Sequence, residues 1–190
     1  GGMALVGNLG NFLTSLESIS TLGFQNGIVK YIAENQKNEG ELKKIIATVF
    51  ISLICVALVL SGVLYFFASF WNDKILEHNT DNTLVFRVLA LALPWYTVSV
   101  FLLSVLNGLS KFTKVIWVNI TGNLIGLLVS LVMILKFQTL GALLAIVITP
   151  SLLFFVTFYF VQKEIQFLKI IHLQLYDFTI IKNLLPYSLM

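Results

Sequence analysis

The sequence predicts an all-α fold, a polytopic bundle of helices that cross a membrane. Composition is the first observation behind this prediction: 58% of the 190 residues are apolar and 11% are charged, whereas about 25% of residues in soluble domains are charged. The second is that several apolar runs reach the roughly 20 residues that a helix needs to cross a bilayer core. Because these runs lack the period-two alternation of membrane β-strands, the spans are predicted to be helical.

The apolar runs define the predicted elements in order along the chain. Four runs contain no charged residue and are bounded by charges: residues 45–72, 88–110, 115–135 and 137–162. Residues 1–29 form a fifth run, which only Glu17 interrupts, and residues 183–190 begin a sixth. We therefore predict five membrane-spanning helices within residues 1–182 and the truncated start of a further helix at 183–190. A tight turn is predicted between Lys136 and Leu140.

The basic residues are distributed unevenly between the two sets of loops. Of the 12 basic residues, nine lie in the alternate loops 30–44, 107–114 and 163–182. An excess of Lys and Arg is typical of cytoplasmic loops, so these three loops are predicted to be cytoplasmic. The first helix then runs inward. One more helix before residue 1 would return the N-terminus to the cytoplasm, so we expect the chain to be part of a longer protein.

The longest predicted connection is the cytoplasmic linker 163–182. Within it Ile165, Leu168, Ile171 and Leu175 fall near helical spacing. One interpretation is an amphipathic helix that lies on the membrane surface. The other is a short helical linker, and the spacing does not separate the two.

The first predicted helix carries a polar half along its length. When residues are placed at 100° intervals, the polar and apolar side chains occupy opposite halves. The polar half holds Asn8, Asn11, Thr14, Ser15, Ser18, Thr21, Gln25 and Asn26, with Glu17 at its edge. A spanning helix does not turn such a face toward lipid, so the face meets protein or water. Its length favours the wall of a hydrophilic cavity over hydrogen bonding between helices.

Two charged residues are predicted to lie within or just inside the spans. An isolated buried carboxylate is costly, so Glu17 is expected to be protonated, solvated or paired. It is interpreted as a cation- or proton-coupling site, a contact to a polar substrate, or a solvated residue without a special role. Arg87 could bind an anionic group such as phosphate, or it could extend to the interface. The two residues should differ by roughly 15 Å in depth, so a Glu17–Arg87 pair is not expected.

Small residues and prolines interrupt the later runs. Gly122 and Gly126 are four residues apart, and a similar spacing begins at Gly141. This pattern is typical of closely packed membrane helices. Pro94 and Pro150 lie near the middle of their spans and should kink them.

Motifs for chemistry are absent from the sequence. It contains no phosphate-binding loop, nucleophile elbow or histidine–cysteine cluster. The single cysteine, Cys55, cannot form a disulfide within the chain. We therefore expect a protein that is not an enzyme, needs no cofactor or metal, and does not bind nucleic acid.

Several residue blocks resemble those of one transporter family. Residues 22–34, read Leu-Gly-Phe-Gln-Asn-Gly-Ile-Val-Lys-Tyr-Ile-Ala-Glu, follow a polar helix. The other blocks are residues 7–12, Asn107-Gly108-Leu109, Gly141-Ala142 and Pro150-Ser151. Together they resemble the Wzx-type O-antigen translocases, flippases of lipid-linked oligosaccharides in the multidrug/oligosaccharidyl-lipid/polysaccharide exporter superfamily. The resemblance covers essentially the whole chain.

The resemblance implies a fold and a function. Such proteins usually have 12 to 14 helices in two lobes around a central cavity, and this chain resembles part of the first lobe without its first helix. The family moves undecaprenyl-diphosphate-linked sugar repeats across the bacterial inner membrane, with alternating access as the implied mechanism. The implied partners are this substrate, membrane lipid, and a polymerase or other assembly proteins. The candidate cavity residues are those given by the polar half of the first helix and the two charged residues: Asn8, Asn11, Ser15, Glu17, Ser18, Gln25, Asn26 and Arg87.

Two other functions stay open at this point. A multidrug or cation exporter of the same superfamily would use Glu17 as its coupling site. A membrane polysaccharide polymerase, an enzyme, would need a large outward loop with clustered arginines. The predicted outward loops, residues 71–83 and 136–140, are short.

Overall fold

The computed structural model describes residues 2–76, 82–171 and 175–186. All regular secondary structure within them is helical, which confirms the predicted all-α fold. The described α-helices are α1 (Gly2–Ser20), α2 (Gln25–Glu34), α3 (Glu39–Phe66), α4 (Ala68–Ile75), α5 (Thr83–Gly108), α6 (Phe112–Ile165) and α7 (Phe178–Leu184). Within the predicted outward loop and C-terminal helix start, residues 77–81 and 187–190 lie outside the described residues.

Three described helices, α3, α5 and α6, are long and apolar enough to cross a membrane. The third consists of two helices, residues 112–137 and 139–165, because Gln138 between them has φ 49° and ψ −124°. That conformation is strained for a residue other than glycine. It places the chain reversal inside the turn predicted at 136–140. These helices account for four of the five predicted spans. The fifth predicted span corresponds to the polar α1, which is not among the helices that are long and apolar enough to cross a membrane.

The predicted apolar run 1–29 is divided into two helices. α1 ends at Ser20 because Leu22 and Gly23 take left-handed conformations, with φ 53° and 65°. The Gly23 N–H donates to the Ser18 carbonyl at 2.9 Å, a contact that closes helix C-termini. The single helical wheel drawn from Asn8 to Asn26 is therefore wrong, since Gln25 and Asn26 belong to α2.

α5 is the central helix of the bundle and contacts α2, α3, α4 and α6. At one end its Phe101, Leu102 and Val105 are buried with the apolar side of α2 and the first half of α3. At the other end its Phe86 and Leu89 are buried with residues of α1 and the second half of α6. The core thus consists of two apolar clusters, and α5 contributes residues to both.

The two halves of α6 pack against each other through small residues. A methyl group at Gly126 would lie 2.6 Å from the Thr149 side chain, and one at Gly122 would collide with Leu153. At the turn itself, a methyl group on Gly141 would collide with the Met133 carbonyl oxygen. The close packing predicted from the glycine spacing is confirmed.

Hydroxyl groups from two neighbouring helices support the proline in α5. Pro94 has no N–H, so it cannot donate to the carbonyl of Ala90, four residues earlier. The Ser61 hydroxyl on α3 donates to that carbonyl at 2.5 Å. Two residues after Ala90, the Ala92 carbonyl accepts from the Ser151 hydroxyl on α6 at 3.0 Å. Serine donors of this kind satisfy backbone groups that proline leaves free within a membrane.

Replacing Ser61 with alanine tests this support. We expect Ser61→Ala to lower the free energy of unfolding by about 1 kcal/mol, because the Ala90 carbonyl loses its donor. In a Pro94→Ala background the helix supplies its own N–H to that carbonyl, so the same change should cost much less. Unfolding of the native protein, the two single variants and the double variant in detergent measures the difference. An equal loss of stability from Ser61→Ala in both backgrounds would contradict the assignment.

The linker 163–182 is packed into the bundle. Its regular structure within the described residues is a 3₁₀ turn, Phe167–Lys169, followed by the start of α7. Phe167, Ile170 and Ile180 are buried in the cluster at that end, and the Thr48 hydroxyl on α3 accepts from the Asp177 N–H at 3.0 Å. A short packed linker, not a helix lying on the membrane surface, is therefore what the described residues form. Residues 172–174 lie outside them.

Candidate functional site

The exposed side of α1 carries most of the predicted cavity residues. Asn8, Asn11, Ser15 and Ser18 are exposed together with Thr14, whereas Leu9 and Leu16 on the other side are buried. A shallow depression of about 600 Å³ follows this side, and it is lined by Asn11, Thr14, Ser15, Ser18 and Ile19. α1 thus presents a continuous polar surface about three turns long.

The polar groups on this surface differ in how far their bonding is already satisfied. The Thr14 and Ser15 hydroxyls each donate to a carbonyl of their own helix at 3.1 Å. The Asn8 amide donates to the Ile75 carbonyl at 3.4 Å, which joins α1 to α4. Among the residues that the structure describes, Asn11 and Ser18 use no side-chain polar atom in this way. Their groups are therefore free to bind water or a polar ligand.

Glu17 lies at the centre of a polar cluster that joins three helices. The Gln25 amide on α2 donates to Glu17 Oε1 at 2.9 Å, and the Tyr96 hydroxyl on α5 donates to Glu17 Oε2. Residues eight apart in one continuous helix would lie about 12 Å apart along its axis. The break after Ser20 is what lets Gln25 reach back to Glu17. The carboxyl group is half-buried and paired, one of the states expected from the sequence.

Tyr96 was not identified from the sequence as a site residue. Its position in the sequence could have identified it, because a tyrosine in the middle of an apolar span needs a hydrogen-bond partner for its hydroxyl. Which partner it meets depends on how α1 packs beside α5, and this packing is not encoded in the local pattern. Tyr96 lies two residues after Pro94, so the cluster around Glu17 is attached to α5 close to its proline.

The remaining predicted residues lie apart from this cluster. Arg87 is exposed on the side of α5 that also exposes Leu84, Leu91 and Trp95. No ion pair of Arg87 is present within the described ranges, and the structure does not bring it to the polar side of α1. Asn26 is exposed in the first turn of α2. The structure therefore unites Glu17 and Gln25 with Tyr96, and it leaves Arg87 separate.

The arrangement can bind polar groups. An ionised carboxylate has about four acceptor positions, and the two donors occupy one on each oxygen of Glu17. Capacity remains for a substrate hydroxyl or a cation. Within residues 2–76, 82–171 and 175–186, no three His, Cys, Asp or Glu residues converge as a metal site would require.

Comparisons with known proteins give one finding about the chain as a whole. A family model described as polysaccharide biosynthesis protein matches residues 3–189. The match takes in α1 with its polar surface, the cluster around Glu17, and the hairpin of α6. No curated protein and no solved structure gives a significant match.

Proposed function

Because the chain belongs to the polysaccharide biosynthesis protein family, we propose that it moves a lipid-linked oligosaccharide across the bacterial inner membrane and catalyses no chemical reaction. The substrate class we propose is an undecaprenyl-diphosphate-linked repeat of a surface polysaccharide such as O-antigen. The chain would act as part of one helical lobe, with a second lobe facing it across the cavity.

The polar surface of α1 is the observation that carries this proposal. A helix in a membrane turns polar side chains away from lipid, and the side holding Asn11, Ser15 and Ser18 has no helix of the described chain over it. Sugars bind through many hydroxyl groups, which amide and hydroxyl side chains match as donors and acceptors. A water-filled passage lined in this way suits a saccharide.

Glu17 is proposed to contribute to this passage at the inner edge of the polar surface. Its carboxylate has acceptor capacity beyond the bonds from Gln25 and Tyr96. Tyr96 links it to α5 two residues after Pro94, and proline-containing helices are suited to the bending that alternating access requires. A change in what Glu17 binds would thus act on α5 next to its proline.

Cysteine accessibility tests the proposed passage. In a background without the exposed Cys55, cysteines replacing Asn11, Ser15 or Ser18 should react with a membrane-impermeant thiol reagent at least tenfold faster than a cysteine replacing Leu16, which is 5% exposed. Leu58→Cys is the matched control, because Leu58 is 57% exposed on α3 but is expected to face lipid. Equal protection of the α1 cysteines and Leu58→Cys would overturn the passage.

Deleting the gene separates this function from two others. If translocation is the blocked step, complete repeats on their polyprenyl carrier accumulate facing the cytoplasm and surface polymer is lost. If single repeats reach the outer leaflet without being polymerised, the protein is a polymerase. The spare acceptor capacity at Glu17 favours a second candidate, a drug or cation exporter, for which saccharides stay unchanged and sensitivity to cationic drugs rises.

A further inference from the structure

Three lysines converge where the two ends of α6 meet. The Lys111 ammonium lies 2.9 Å from Glu164 Oε2, and the Lys114 ammonium pairs with Glu164 Oε1. Lys163 is the residue that precedes Glu164 in the chain. The Glu164 side chain is only 16% exposed. We call Lys111, Lys114, Lys163 and Glu164 the α6 charge cluster.

The α6 charge cluster has more positive charge than its own acid can balance. Two ammonium groups pair with the one carboxylate, and Lys163 adds a third positive charge beside it. Three positive charges against one negative charge leave two positive charges over among the four side chains. The N-terminus of α6 adds to this, because no side chain caps it and helix N-termini carry partial positive charge. A doubly charged anion would restore the balance.

The other lysines near this end of the bundle are balanced differently. Lys43 pairs with Glu39 at 3.5 Å, and Lys44 pairs with Glu41 at 3.1 Å, each within the first turns of α3. There each cation has its own acid one turn away. An excess of lysines in this set of loops does not by itself require two of them to pair with one glutamate that is 16% exposed.

The depth of the α6 charge cluster matches that of lipid phosphates. The charge-free runs of α6, residues 115–135 and 137–162, both end at the cluster. Phe112 and Trp117 next to it are 61% and 56% exposed, and exposed aromatic side chains are typical of the level of the headgroups. Basic pockets between membrane helices on the cytoplasmic side bind anionic headgroups.

We propose that Lys111, Lys114 and Lys163 bind the phosphate group of a lipid headgroup. Glu164 holds Lys111 and Lys114 in position when no lipid is bound. When a lipid binds, the phosphate replaces Glu164 as the partner of some of the lysine N–H groups. A cavity of about 460 Å³ borders the cluster at Glu164 and is also lined by Glu39, Lys43 and Lys169. It leaves room beside the cluster for the rest of a headgroup. The ligand chemistry is a phosphate ester at headgroup depth. Its source is either a membrane phospholipid or, if the proposed function holds, the diphosphate of the saccharide carrier.

Lipid binding to the purified native protein tests this site. The probes are phosphatidylglycerol, phosphatidylcholine and a polyprenyl diphosphate, each titrated into detergent-solubilised protein and followed by native mass spectrometry. Each lysine near a membrane surface contributes about a fivefold change in binding. We therefore expect Lys111→Gln, Lys114→Gln and Lys163→Gln combined to weaken binding of the anionic lipids about a hundredfold. Lys30→Gln with Lys44→Gln is the matched control, because these lysines pair with Glu34 and Glu41 away from the cavity, and it should change binding less than threefold.

Two further variants keep the test decisive if the triple variant folds poorly. Lys163→Gln leaves both ion pairs of Glu164 intact and should weaken binding about fivefold. Glu164→Gln removes the competing carboxylate and should strengthen binding at least threefold. Loss with both anionic lipids supports the shared site. Loss with phosphatidylglycerol alone identifies a phospholipid site, and loss with the polyprenyl diphosphate alone identifies a substrate site.

Two results would overturn the proposal whatever the cell assay shows. One is unchanged affinity of the Lys163→Gln and triple variants for both anionic lipids. The other is an equal loss in the Lys30→Gln, Lys44→Gln control, which would mean attraction by net charge only. Because phosphatidylglycerol is not a saccharide carrier, the site can be shown or refuted even if the proposed transport function fails.

Discussion

Substituting Gly141 with alanine is expected to lower the free energy of unfolding by about 3 kcal/mol or more. The added methyl group would collide with the Met133 carbonyl oxygen across the hairpin of α6. Backbone cannot rotate aside as a side chain can, so the two halves of α6 would have to separate. That separation would also disturb the close approach of Gly126 to Thr149. Thermal unfolding in detergent and the yield of monodisperse protein measure the effect.

Gly62→Ala is the matched control for this prediction. Gly62 lies inside α3, and a methyl group there would meet nothing within 4 Å. Alanine is the better helix former by about 1 kcal/mol, so this variant should be unchanged or slightly more stable. If Gly141→Ala unfolds at the same temperature as Gly62→Ala, the tight contact at the turn is not what holds the hairpin.

Substituting Glu17 with alanine is expected to reduce transport at least tenfold and to destabilise the protein by about 2 kcal/mol. The change leaves the Tyr96 hydroxyl and the Gln25 amide without their acceptor, and each half-buried donor left unpaired costs about 1–3 kcal/mol. It also removes the one carboxyl group along the polar side of α1. Recovery of surface polysaccharide in a deletion strain measures transport, and thermal unfolding measures stability.

Two companion variants separate the charge of Glu17 from its structural contacts. Glu17→Gln keeps an acceptor for Tyr96, so it should unfold near the native temperature while transport still falls. Thr14→Ala removes an exposed hydroxyl that bonds only to its own helix, so its stability should change by less than about 0.5 kcal/mol. Native transport by Glu17→Gln would show that the carboxylate charge is dispensable. Native stability of Glu17→Ala would show that the three-helix cluster contributes little.

The residue blocks that resemble the translocases lie at breaks and close contacts of the fold. Gly23 takes the left-handed conformation that ends α1. Gly108 lies so close to α2 that a methyl group there would be 2.7 Å from Ile32. Ser151 donates to the Ala92 carbonyl of α5, two residues before Pro94. These positions constrain the backbone, so the blocks are evidence for the shape of the fold more directly than for its function.

Periodicity and composition predicted the elements that depend on local sequence. The spans that became α3, α5 and the two halves of α6, the turn near Gln138, and the packing of Gly122 and Gly126 follow from run length and spacing alone. The polar side of α1 could also be predicted as far as Ser18, because it depends on one helix with a regular repeat. The prediction became wrong where a left-handed residue ended that helix.

The sequence by itself determined which segments are helical and which side of α1 is polar. Only the tertiary structure decided that Gln25 turns back to Glu17, that Tyr96 meets the same carboxyl group, and that the linker after α6 is packed into the bundle. In a membrane protein the tails of lipids are as apolar as leucine. The sequence therefore does not distinguish an apolar side chain that will face lipid from one that will pack against another helix. Which helix packs against each face depends on contacts between segments that are far apart in the chain, and a local sequence pattern does not predict those contacts.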